Sequence, residues 1–221
     1  MKLRLIASFL ILIVCACTSV SRWEPPLPKR KIASIDEVAS LDPNKKTVCS
    51  ITLNSSDEIE VTRQYLGEEH FNYIELVNTE NRNWFKKACQ SKVKCDILVI
   101  SGHFGGVFFG KNGRLSLQEL ESEKCSNECD GILNHPKEVF LYGCNTLAGK
   151  TRDSRTPEQY RAVLLEDGFS PREADQIVAL RYSPVGNSFN ARMQRLFDQT
   201  PRIYGFDSIA PSGQNIRPYL K

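Results

Sequence analysis

The chain has 221 residues, of which 41% are hydrophobic and 25% charged, with a net charge of +3. That balance belongs to a globular protein long enough to bury a real core, and it excludes a disordered or low-complexity chain. Two of the cations, Lys2 and Arg4, sit at the start of the chain; without them the net charge is +1, so nothing in the composition argues for a nucleic-acid partner.

In chain order the first element is a leader. "MKLRLIASFLILIVCACTSV" carries two positive charges, an apolar stretch over residues 5–16, then small residues before a cysteine. This is the layout of a secretory signal, and the stretch is short of the ~20 residues that a spanning helix needs. Val14-Cys15-Ala16-Cys17 resembles a bacterial lipoprotein box. The resemblance implies that residues 1–16 are removed, that lipid on Cys17 holds the protein to a membrane of the cell envelope, and, with Thr18 next rather than Asp, that this is the outer membrane. A plain signal peptide with incidental cysteines is the other reading. Residues 17–45, with three prolines in "EPPLP", read as a tether with one helical turn near 35–41. Within it Lys29, Arg30 and Lys31 form a small solvated basic cluster.

From residue 46 to 221 the pattern alternates. Residues 47–53, 71–77, 95–101 and 138–144 are apolar and β-branched, which predicts strands. Residues 57–67 and 81–92 have helical spacing, and Ser116 with Glu119 makes a capping box that starts a third helix. Strands separated by helices predict an α/β fold with a doubly wound, mostly parallel sheet, and the continuous apolar runs fit strands covered on both faces. Beyond residue 144, Thr156-Pro157 and Ser170-Pro171 each read as an N-cap followed by proline at the first helical position. Gln159 and Glu173 complete capping boxes, and Gly168 stops the first of these helices. A further helix is expected over 189–197 and a strand over 202–208. Residues 152–199 are therefore a helical insertion between two strands of one sheet.

The chain has eight cysteines. Export would remove Cys15 and lipidate Cys17, leaving Cys49, Cys89, Cys95, Cys125, Cys129 and Cys144. An exported chain can oxidise these to as many as three bridges, whose connectivity sequence does not give. Cys125 and Cys129 in "CSNEC" are close enough to pair across a short turn. If Cys144 stays free, at least one other thiol does too. Zinc is the rival use, but no C-x-x-C pair occurs and the three histidines are scattered.

Two strands end alike. "DILVISGHFGG" runs out at small residues around His103, and "EVFLYGCNTLAG" runs out at Cys144. In an open α/β sheet, ligands bind beyond the carboxyl ends of the strands. On neighbouring strands, ~4.8 Å apart, the two side chains would face each other there. A thiolate nucleophile with an imidazole base is the constellation of acyl transfer. Gly102, Gly105 and Gly106 allow backbone amides to come close to a substrate, and one of them with the Cys144 amide would hold the oxyanion, at ~3–4 kcal/mol of barrier per donor. His70 and His135 precede strands, at the opposite end of the sheet. Asn145 and Thr146 suit either a turn or a contact to substrate.

On these residues the sequence resembles the caspase-like cysteine peptidases of clan CD, in which a histidine follows one strand and a cysteine the next. "YGCNTLAG" is similar to the Ser-Ala-Cys-Asn-Thr-Gly type of motif in CHAT-domain members. In the family the histidine is usually followed directly by glycine; here Phe104 intervenes and Gly105 comes second. Gly143 stands where alanine is frequent. The resemblance covers residues 47–149 and extends to "RIYGFDSIAPSG", which would border a specificity pocket; there Asp207 would favour a basic side chain. It implies a lipid-anchored cysteine endopeptidase acting on protein or peptide, with Cys144 as nucleophile, His103 as base, the Gly105 and Cys144 amides as oxyanion donors and no cofactor, although some members bind calcium. Two other readings fit the same residues: an inactive binding module on this fold, and a structural envelope lipoprotein with all cysteines bridged.

Overall fold

A computed structural model describes residues 32–54, 56–149, 155–166, 169–184, 189–211 and 213–220. The leader, Cys17, most of the tether and Gly168 lie outside the described residues, as does the side chain of Glu173.

The strands are β1 (Ala33–Ser34), β2 (Lys46–Thr52), β3 (Phe71–Glu75), β4 (Ile97–Ser101), β5 (His103–Phe104), β6 (Val107–Gly110), β7 (Gly113–Ser116), β8 (Glu138–Tyr142) and β9 (Arg202–Tyr204). The helices are α1 (Asp57–Leu66), α2 (Trp84–Gln90), α3 (Leu117–Cys125), α4 (Asp130–Leu133), α5 (Pro157–Glu166), α6 (Pro171–Tyr182) and α7 (Phe189–Leu196), with 3₁₀ segments at Ile35–Ser40 and Gly213–Leu220. Six strands form one sheet in the order β1-β3-β2-β4-β8-β9, every pair parallel. The expected α/β architecture with a mostly parallel sheet between helices is what the chain adopts. Ala33 and Ser34 pair with β3, so the fold begins before residue 46, within the stretch expected to be a tether.

Because side chains alternate along a strand, the central strands divide their apolar residues between two layers. Cys49, Ile51, Leu98, Ile100, Val139 and Leu141 face one layer with Trp84, Phe85, Leu120 and Met193. Val48, Ile97, Val99, Phe140 and Tyr142 face the other, with Ile59 of α1 and Ile216 and Leu220 of the last 3₁₀ segment. A third, smaller cluster belongs to α5 and α6, where Tyr160, Leu164, Phe169, Ala174 and Ile177 pack together. Capping boxes start two helices as read: the Glu119 amide donates to Ser116 Oγ at 3.0 Å, and Thr156 and Gln159 bond reciprocally at 2.9 and 3.3 Å. Three helices, α5 to α7, lie between β8 and β9, which pair directly.

Two features depart from the expected plan. After β4 the chain makes a second, antiparallel sheet of three strands, β5-β6-β7, over residues that read as a glycine-rich loop. Its pleat turns Phe104, Phe108 and Leu115 into the main core, all but fully buried. The strand expected over 202–208 is only Arg202–Tyr204, and the chain then runs on as an irregular strap.

Among the described residues the cysteines pair as Cys49 with Cys95 and Cys89 with Cys129, with Cys125 and Cys144 outside any disulfide. Cys125 and Cys129, close enough in sequence to pair, do not: Cys129 caps α4 and is buried beside α2, whereas Cys125 ends α3 on the surface. The reading with all cysteines bridged falls with it.

Candidate active site

Ser101 of β4 and Tyr142 of β8 are direct register partners, and the ladder continues one step as the Gly102 amide donates to the Tyr142 carbonyl at 3.1 Å. His103 and Cys144 each lie two residues further on, at the same level beyond the carboxyl edge of the sheet. Both line one small cleft of about 60 Å³ with Asn54, Glu58, Gly102, Tyr142, Gly143, Ala210 and Pro211. The two residues singled out by sequence therefore share a site.

The imidazole is held on several sides. Its ring packs 4.4 Å from Phe169 and 5.5 Å from Phe109, and Nε2 lies 3.3 Å from the side-chain nitrogen of Asn54, just past the end of β2. In that orientation the amide donates to Nε2 and the ring proton sits on Nδ1; with the amide turned over, Nε2–H donates to its oxygen instead.

Cys144 is half-buried and forms no disulfide. It opens a turn in which Asn145 takes φ +60°, a conformation Asn tolerates better than most residues. The turn is zipped antiparallel to the strap. The Asn145 amide donates to the Ser208 carbonyl at 2.7 Å, and the Leu147 amide to Phe206 at 2.9 Å. The Ala210 amide donates to Cys144 Sγ at 3.4 Å. Thr146 Oγ1 donates to the Leu141 carbonyl at 3.3 Å and accepts from the Phe206 amide at 3.2 Å, and Asn145 bonds the Tyr160 phenol. Both Asn145 and Thr146 are buried, so of the two roles open to them they take the structural one. Gly143 is required by space: a Cβ there would lie 2.8 Å from Phe104 Cβ and 2.9 Å from the Gly102 carbonyl oxygen.

The cleft is acidic on its α1 side. Glu58, in the first turn of that helix, accepts from the Gly213 amide at 3.1 Å, and a helix N-terminus favours an anion. The Tyr142 phenol, 3.3 Å from Thr62 Oγ1, has its pKa pushed up to about 12 by burial, with Glu58 adding to the rise, so it is a neutral hydrogen-bonding group at ordinary pH.

Other expected residues fall elsewhere. Gly105 lines a different cleft; its amide donates to the Val107 carbonyl at 3.2 Å, and a Cβ there would meet Ile177 at 2.7 Å. The assignment of Gly105 as oxyanion donor is thus corrected: pleating sends Phe104 into the core, and the next amide is used to close the hairpin. Asp207 is exposed on the strap and does not line the His103–Cys144 cleft. His70 lies before β3, beside Glu69, and His135 before β8, 4.0 Å from Asp96, both at the amino end of the sheet. Sequence reasoning missed Asn54, Glu58 and Ala210. Asn54 carried a usable signal, since it too follows a strand of the same parallel sheet; Ala210 carried none, because it acts through its backbone. Compared with known protein families and with characterised proteins, the chain matches none.

Proposed function

We propose that this protein is a cysteine endopeptidase of the caspase-like type, exported and anchored to the cell envelope by lipid on Cys17, and acting on protein or peptide without a cofactor. The observation that carries the reading is the shared cleft: a thiol and an imidazole, brought together from two neighbouring strands beyond the carboxyl edge of one parallel sheet. Two buried disulfides support export, because such bridges persist in oxidising compartments.

In this mechanism the Cys144 proton passes to His103 and the thiolate sulfur forms a bond to the scissile carbonyl carbon. The carbonyl π electrons move onto oxygen, next to the Cys144 amide. Collapse breaks the C–N bond, and His103 returns the proton to the leaving amine. Water, deprotonated by His103, then attacks the thioester; the sulfur leaves and acid product is released. Asn54 orients the imidazole with its side-chain oxygen accepting from Nε2–H, which leaves Nδ1 as the nitrogen that takes the proton. The Ala210 amide favours the anionic sulfur, since a hydrogen bond to a charged acceptor is stronger than one to a neutral acceptor.

The test is a peptide-library digest read by mass spectrometry. Wild type is expected to cut a subset of peptides, with cleavage abolished in Cys144→Ala and reduced at least a hundredfold in His103→Ala. An inactive binding module is favoured by one observation, the engagement of the Gly105 amide in the hairpin; no cleavage by wild type, with the fold intact, would establish it. The anchor has its own test: labelled palmitate should enter wild type and not Cys17→Ser.

A further inference from the structure

We propose that the cleft between the β5–β7 sheet and α6 is a subsite for an aromatic or branched aliphatic side chain of a bound peptide, with an acidic residue of the same peptide held by Arg114. The proposal deepens the peptidase reading and rests on it for the role of the neighbouring centre. The cleft measures about 530 Å³, within the usual size of ligand pockets, and is lined chiefly by Val107, Phe109, Gly113, Arg114, Gln176 and Ile177. Its floor is the outer face of the three-stranded sheet. Phe109 is the register partner of His103 on one side and of Arg114 on the other, so these three side chains stand on one face, with Val107 two residues along. The Phe109 ring also packs 5.5 Å from the imidazole. A peptide lying across this face thus passes from the apolar cleft to His103 on one side of the three-stranded sheet. Among the described residues lining the cleft, Arg114 alone is charged, and it is exposed; it would attract a carboxylate and repel an ammonium group.

The experiment uses Cys144→Ala protein, so that binding is read without hydrolysis, and three fluorescein-labelled hexapeptides in an anisotropy titration. They are Ala-Ala-Glu-Phe-Ala-Ala, the same peptide with Lys for Glu, and the same with Ala for Phe. The Glu-Phe peptide is expected to bind at least tenfold more tightly than either relative. Adding Arg114→Glu should reverse the order of the Glu and Lys peptides; this position is exposed, so the variant should fold. Adding Val107→Trp should weaken the Glu-Phe peptide about tenfold at an unchanged melting temperature. Equal binding of the three peptides, or an order indifferent to Arg114→Glu, overturns the proposal. Digestion by wild type separates the two readings: discrimination in binding with no hydrolysis sustains the subsite and removes the peptidase, and hydrolysis without discrimination does the reverse.

Discussion

Ala210 reaches the Cys144 sulfur with its backbone alone, and this makes an unusually clean substitution possible. Ala210→Pro deletes the N–H that lies 3.4 Å from Cys144 Sγ, while Ala210→Gly keeps it. A lost hydrogen bond to an anionic acceptor is worth ~1.5–3 kcal/mol, so iodoacetamide labelling of Cys144 near neutral pH should slow about tenfold or more in the proline variant and stay unchanged in the glycine variant. Labelling at wild-type rate in Ala210→Pro, with an unchanged melt, would show that the amide does not stabilise the thiolate. Gly143 is a second residue whose role is set by space. Gly143→Ala drives a methyl to within 2.8 Å of Phe104 Cβ and 2.9 Å of the Gly102 carbonyl oxygen, which are parts of the core and of the ladder. It should cost ~1–3 kcal/mol in a denaturant melt, the range for overpacking, although alanine is frequent there in the family the sequence resembles. Sequence alone does not show the conflict, because it lies between segments that meet only in the fold.

At the scale of elements, the parallel strands were legible and the hairpin sheet was not, for one reason. β2, β4 and β8 are buried on both faces and therefore read as unbroken apolar runs, whereas β5 to β7 are short, glycine-interrupted and buried on one face only. Reading His103 as a loop residue hid the alternation that places Phe104 inside and turns the Gly105 amide into the hairpin. The end of β3 shows what the elements demand of a polar residue. Glu75, its last residue, is half-buried; Oε1 accepts from the Thr52 and Val77 amides at 3.1 and 3.0 Å, and Oε2 lies 2.8 Å from Ser50 Oγ, itself 3.2 Å from the Ile74 carbonyl oxygen. If Ser50 donates to Ile74, a protonated Glu75 completes the set by donating to Ser50. Loss of hydration raises its pKa above the ordinary carboxylate range despite these bonds. The sign follows. The stabilising contribution is fully present below the unfolded pKa and is lost as pH rises through the higher folded value. Glu75→Gln has the same shape, with its NH₂ donating to Ser50, and carries no such dependence. Its melting temperature relative to wild type should therefore climb between pH 4 and pH 8; parallel curves for the two proteins would mean that the acid is ionised throughout.

Across the whole molecule, chain order was readable but covalent pairing was not, because spacing does not determine which thiols meet. Cys125 and Cys129 are near in sequence, yet α3 ends between them, and Cys129 is carried to α2 instead. The two bridges close loops of 46 and 40 residues, and both lie in the layer built on β2, β4, α2 and α4. On a chain-entropy basis each stabilises by ~4 kcal/mol. Together they match much of the 5–15 kcal/mol typical of a whole domain, so this fold should depend on an oxidising compartment. Replacing Cys89 and Cys129 together by alanine should lower the melting temperature by roughly 8–16 °C, given about 2–4 °C per kcal/mol for a domain of this size. Reducing both bridges should bring unfolding close to physiological temperature. The α5–α6 cluster has no bridge to the rest among the described residues, and it meets the main body through contacts such as Phe169 on His103 and Tyr160 on Asn145. Reduction should therefore expose the reactive centre along with the core, and Cys144 labelling should rise at the temperature where the melt begins. A protein that melts within two or three degrees of the oxidised form after full reduction would refute both the stabilising role of the bridges and the argument from them to export.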